Sequence, residues 1–166
     1  MSLLEGTIDF RNHPLTVVED TAASNDWAFE RSGEDELTII SKGKWTDYQL
    51  SFTWMSDIEA LHLACAFDMR IPVARKSEVQ RLIAAINQQL WIGHFDLWPQ
   101  AGLIMHRQAL ALPGRLTAST TQCESMLCGA ISACERYYPA FQFVMWAGKS
   151  TAEAMEAAMF DTVGQA

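Results

Sequence analysis

The chain has 166 residues, 49% of them hydrophobic and six of them Trp, with 20 acidic and 12 basic side chains for a formal net charge of −8. That apolar content offsets the entropy of ordering a chain and excludes disorder, and the length fits one core rather than two. No Lys/Arg run exceeds Arg75-Lys76, so the basic footprint of a nucleic-acid binder is missing and no DNA or RNA partner is expected.

Residues 1–13 show no sustained period and are expected to form a flexible N-terminal arm, leaving 14–166 as a single domain. Pro14 suits the first position of a helix, and Leu15, Val18 and Ala22 give it an apolar stripe ending by Asn25. Strands follow at Trp27 to Phe29 and at Leu37 to Ser41. The sharpest alternation is Tyr48, Leu50, Phe52 and Trp54 against Gln49, Ser51 and Thr53. Leu61, Leu63, Cys65 and Phe67 make the next strand. Its opposite face of Ala60, His62, Ala64 and Ala66 is small enough to accept a helix.

A central helix is predicted over 74–92, with Val79, Leu82, Ile83, Ile86 and Leu90 on one face. Ser77 and Gln80 have capping-box spacing, and Gly93 stands where a left-handed helix stop is wanted. A hairpin is read over 95–109. Its second strand alternates Leu103, Met105 and Arg107 with Ile104 and His106. Ser119 with Gln122 opens a helix over 119–138. Beyond Pro139 the bulky run Phe141, Phe143, Val144 and Trp146 fits either a continued helix or a buried strand, with helix preferred. Ser150 and Glu153 open a last short helix with Ala154, Met155, Ala158 and Met159 on its stripe.

Two histidines and a carboxylate, His94, Asp96 and His106, lie where one hairpin could gather them, but without H-x-x-x-H or H-E-x-x-H spacing they read as structural. Cys123 and Cys134 share a helix face about 16 Å apart along the axis, too far for a disulfide or a shared metal. Cys65, Cys123, Cys128 and Cys134 all lie in apolar-periodic segments and lack C-x-x-C spacing. They are expected to be free buried thiols of a reducing compartment. With no cationic leader and no apolar run near eighteen residues, neither a signal peptide nor a membrane span is expected, and the predicted location is cytoplasmic. There is no G-x-S-x-G elbow and no glycine-rich phosphate loop. No catalytic residue, metal or cofactor is assigned.

Three strings carry a family resemblance: Glu59 to Met69 (EALHLACAFDM), Trp91 to Trp98 (WIGHFDLW) and Glu135 to Val144 (ERYYPAFQFV). From about Pro14 to Thr162 the chain resembles the YbjN family, bacterial proteins described as putative sensory transduction regulators. The resemblance implies an α+β fold like that of type III secretion chaperones, a helix, an antiparallel sheet, a central helix, a further hairpin and closing helices, and a non-enzymatic role; the periodicities above give the order α-β-β-β-β-α-β-β-α-α, one early strand more than the minimal chaperone pattern. Acidic charge and short length are also similar to those of secretion chaperones, which act as dimers on other proteins.

The leading expectation is therefore a cytoplasmic protein-binding module, regulatory or chaperone-like, with an unidentified protein partner. The alternative is a metal-binding sensor or enzyme using His62, His94 and His106. Six tryptophans exceed what one such core needs, which points to a homodimer whose candidate interface is Trp91, Trp98, Phe141, Phe143 and Trp146.

Overall fold

The structure, a computed structural model, describes residues 13–163, with side chains through Met159. All but the last residue of the arm expected over 1–13 lies outside the described residues. His13 itself is held in place: its Nδ1 accepts the Leu15 amide at 3.1 Å and so caps helix α1, Pro14–Ser24. Strands β1 (Phe29–Arg31), β2 (Glu36–Lys42), β3 (Asp47–Met55) and β4 (Ala60–Arg70) follow as a meander. Helix α2 (Lys76–Asn87) leads to the hairpin β5 (His94–Trp98) and β6 (Leu103–Ala111), and α3 (Thr120–Trp146) and α4 (Thr151–Val163) close the chain. The element order is the expected α-β-β-β-β-α-β-β-α-α.

The strands form one six-stranded sheet in the order β1-β2-β3-β4-β6-β5, antiparallel throughout. Short turns can join only antiparallel neighbours, which accounts for the meander. α2 then carries the chain past the vacant place beside β4, and the hairpin brings β6 back into it. The alternation of β3 is matched across the sheet: Tyr48 lies opposite Phe67, Leu50 opposite Cys65 and Phe52 opposite Leu63. One face is therefore mostly apolar, and α1 packs on β2 and β3, α3 on β4 and β6, and α2 beside β5. Phe67 meets Tyr138 at 5.3 Å between ring centroids and Phe95 meets Phe141 at 5.5 Å, tilted and edge-on contacts that lock α3 to the sheet. Cys134 and Cys65 touch, sulfur to sulfur, at 3.6 Å in the same layer.

The expected elements are present, with five corrections. α2 ends at Asn87 rather than near residue 92, and the side chain of that last residue holds β5: its amide donates to the Phe95 carbonyl at 3.0 Å and its oxygen accepts the Phe95 N–H at 2.8 Å. The Ser77 box does not form, since Arg75 is the N-cap and Ser77 lies inside the first turn. Gly93 is left-handed (φ 73°), but it turns the chain into β5 instead of stopping the helix; a Cβ there would stand 2.5 Å from the His106 ring. Last, no helix among the described residues covers the Ala60, His62, Ala64, Ala66 face, and Cys128 is exposed while Cys65, Cys123 and Cys134 are buried.

Elsewhere the local signals hold. Ser119 and Gln122 form both bonds of a capping box, and Ser150 Oγ accepts the Glu153 amide. α3 runs through Pro139 to Trp146, so the bulky run is helical. Its exposed C-terminal carbonyls are met by a cation: Arg75 donates to the Val144 carbonyl through Nε at 2.9 Å and Nη2 at 2.6 Å.

Candidate functional site

Because α1, α2 and α3 lie on one side, the other face of the sheet is bare among the described residues. Its centre carries small side chains, Ser51, Ala64 and Ala66, and its β5 side carries larger ones, Leu103, Met105 and Trp98. Small residues beside large ones on a twisted sheet make a depression. The result is a groove of about 610 Å³, bordered on the β2 and β3 side by Glu36, Gln49 and Thr53.

At one end of this groove three polar side chains meet. Arg107 donates from Nε to His62 Nε2 at 3.1 Å and from Nη1 to Asp96 Oδ2 at 3.0 Å, while Asp96 Oδ1 accepts the Leu97 amide at 2.9 Å. Register explains the meeting: Ala64 and His94 both lie opposite Arg107, His62 lies one row further along β4, and Asp96 lies opposite Met105. His62 accepts through Nε2, so its proton sits on Nδ1 and the ring is neutral. Burial first, then the charges of Arg107 and His94, hold its pKa below the ordinary histidine value.

His106 takes no part. Period two turns it to the opposite, helix-covered face, where it is 1% exposed and packs edge-on against Phe95 at 5.2 Å. Burial, with His94 adding, pushes its pKa down to about 4. The expected sets His94/Asp96/His106 and His62/His94/His106 are thus split between two faces. Among the described residues no three His, Cys, Asp or Glu side chains converge as metal ligands.

The candidate interface residues also divide. Trp91 is 99% exposed, Trp146 65%, Trp98 51% and Phe143 40%, with Ile92 beside Trp91 at 75%. Phe141 is corrected to the core: it is fully buried against Phe67 and Phe95, because helical period sends 141 and 144 inward and 143 and 146 outward. None of the six tryptophans is fully buried. Trp98 ends β5 on the bare face, where it lines the groove.

Arg107 and Asp96 were within reach of the sequence, since alternation already set Met105 and Arg107 on one face. Their meeting with His62 was not, because it depends on β6 pairing with β4 across about forty intervening residues. No helix among the described residues is long and apolar enough to cross a membrane.

No functionally curated protein matches the chain. A solved structure, that of YbjN from E. coli, a protein described as a putative transcription regulator, aligns with a TM-score of 0.56 at 8% identity, covering 75% of this chain and 87% of that one. At that identity the likeness is one of fold. The family YbjN, described as a putative bacterial sensory transduction regulator, matches residues 14–143, and over that span, most of its length, this chain belongs to the YbjN family.

Proposed function

We propose that the protein is a non-enzymatic, cytoplasmic regulatory module that acts by binding another polypeptide, in a regulatory or chaperone-like role, and that it self-associates as a two-fold homodimer. The observation that carries this reading is the set of exposed aromatic side chains, above all Trp91, 99% exposed with Ile92 next to it. Indoles are costly to leave in water and are concentrated at the centres of protein interfaces. Membership of a family described as regulators supports the same reading.

Two measurements test it. Sedimentation equilibrium across a hundredfold dilution at micromolar concentration should report a species above the 18.6 kDa monomer, and a clean monomer throughout ends the homodimer. A partner retained from the native cell should be lost when Trp91→Ser and Trp146→Ser are combined in a protein that still folds. Equal retention by that variant removes these side chains from recognition.

A further inference from the structure

We propose that the groove on the bare face of the sheet binds a small amphiphilic carboxylic acid, its carboxylate on Arg107 and its apolar part over Ala64, Ala66, Leu103 and Met105 toward Trp98. The proposal does not depend on the exposed indoles of Trp91 and Trp146 as a protein-binding site, although Trp98 is a candidate interface residue as well.

Size and lining come first. About 610 Å³ lies within the roughly 300–1,000 Å³ of small-molecule sites, and an apolar floor with a few converging polar groups is their usual make-up. Met105 is itself almost wholly buried, so the floor is already dry enough to gain from an apolar cover.

Unpartnered donors then select the ligand. Arg107 is the one Lys or Arg among the described residues that line the groove, and its guanidinium is fixed by two partners, His62 at Nε and the Asp96 carboxylate at Nη1. Nη2 has no protein partner among the described residues, and the side chain is 40% exposed. A guanidinium held at Nε and Nη1 offers a preorganised donor edge to a carboxylate, without the ordering cost a free arginine would carry. Neutral His62 adds an N–H and no charge.

The two ends of the groove differ. Glu36 lies three strands from Arg107, roughly 14 Å at the usual strand spacing, with no cation beside it among the described lining residues, whereas Asp96 is paired with Arg107, so the β6 end repels an anion less than the β2 end. An ammonium head group would lie against the Arg107 guanidinium and compete with it for Asp96. A bare anion would leave Leu103, Met105 and Trp98 uncovered.

The test uses the full chain and sodium octanoate, followed by two-dimensional NMR. Octanoate should give saturable shifts at the Ala64, Ala66 and Met105 methyls and the Trp98 indole N–H. Acetate, which lacks the chain, and octylammonium, which reverses the charge, should give none that saturate over the same range. Arg107→Gln should weaken octanoate about tenfold or more. Ala64→Leu, which fills the floor without touching the core, should also weaken it, and serves if Arg107→Gln fails to fold. Octanoate that does not bind, that shifts other residues instead, that is matched by acetate or octylammonium, or that binds the folded variants as tightly as the native chain overturns the proposal.

Discussion

Lowering the pH should destabilise this protein through one side chain. His106 is 1% exposed, faces Phe95, and neither ring nitrogen has a hydrogen-bond partner among the described residues. Burial is the main cause, and the nearby His94 adds to it; together they lower the pKa from 6.5 to about 4. Above pH 6.5 the ring is neutral in both folded and unfolded chains and contributes nothing to the pH dependence. Below it the unfolded chain takes up a proton that the fold refuses, so stability falls with pH until about 4 and then levels off. At about 1.4 kcal/mol per unit the full loss is about 3 kcal/mol, of which about 2 kcal/mol falls between roughly pH 7 and pH 5. Urea unfolding of the native chain and of His106→Leu at these two pH values isolates the effect, because carboxylates and His62 titrate in both. The native chain should lose about 2 kcal/mol more than the variant. Parallel losses would refute the argument and mean that His106 reaches water or a partner when charged.

Leu82→Ala, mid-stripe on α2 and fully buried, should cost about 2–5 kcal/mol, read from the shift of the denaturant midpoint. Gly93→Ala should cost clearly more than Gly114→Ala: both are left-handed, but a Cβ at 93 would lie 2.5 Å from the His106 ring and 2.9 Å from the Arg107 carbonyl, while at 114 nothing lies within 4 Å. Backbone strain alone sets Gly114→Ala at about 1–2 kcal/mol, and equal thermal shifts for the two would contradict the close approach. Asn87→Ala should free the start of β5, seen as faster hydrogen exchange of the Phe95 amide than of amides in β3.

Where the sequence was legible, it was because local chemistry and tertiary packing agreed. Tyr48 to Trp54 alternates in the period of the strand it forms, and Ser119 with Gln122 supplies both halves of a helix start within four residues. The end of α2 was not legible, because Leu90 keeps the apolar spacing and packs on the core from outside the helix, while Asn87, an ordinary polar position by pattern, is taken by the backbone of β5. Ser77 and Gln80 have capping spacing too, but the turn at Val73–Arg75 starts the helix before Ser77 can cap it. Phe141 could not be separated from Phe143 and Trp146 until the run was known to be helical. The bare face was hidden for a different reason: alanines at strand positions suit a covering helix and an open groove equally well, and only the placement of α1, α2 and α3 on the other side decides between them.

That placement bears on how a partner could be held. A sheet with open edges invites strand addition, yet three outward groups of β5 are already used: Asn87 takes both the N–H and C=O of Phe95, and Asp96 takes the N–H of Leu97. The other edge, β1, is three residues long, too short to template a partner strand of ordinary length. Recognition by main-chain pairing is therefore poorly served, and what remains accessible is side-chain surface, namely the bare face with its fixed arginine and the indoles at Trp91, Trp98 and Trp146. Trp98 lines the groove and is itself a candidate interface residue, so a ligand seated against it would alter the surroundings of one interface residue directly. Coupling between the two surfaces, if measured, should accordingly vanish in Trp98→Ala while each surface keeps its own binding.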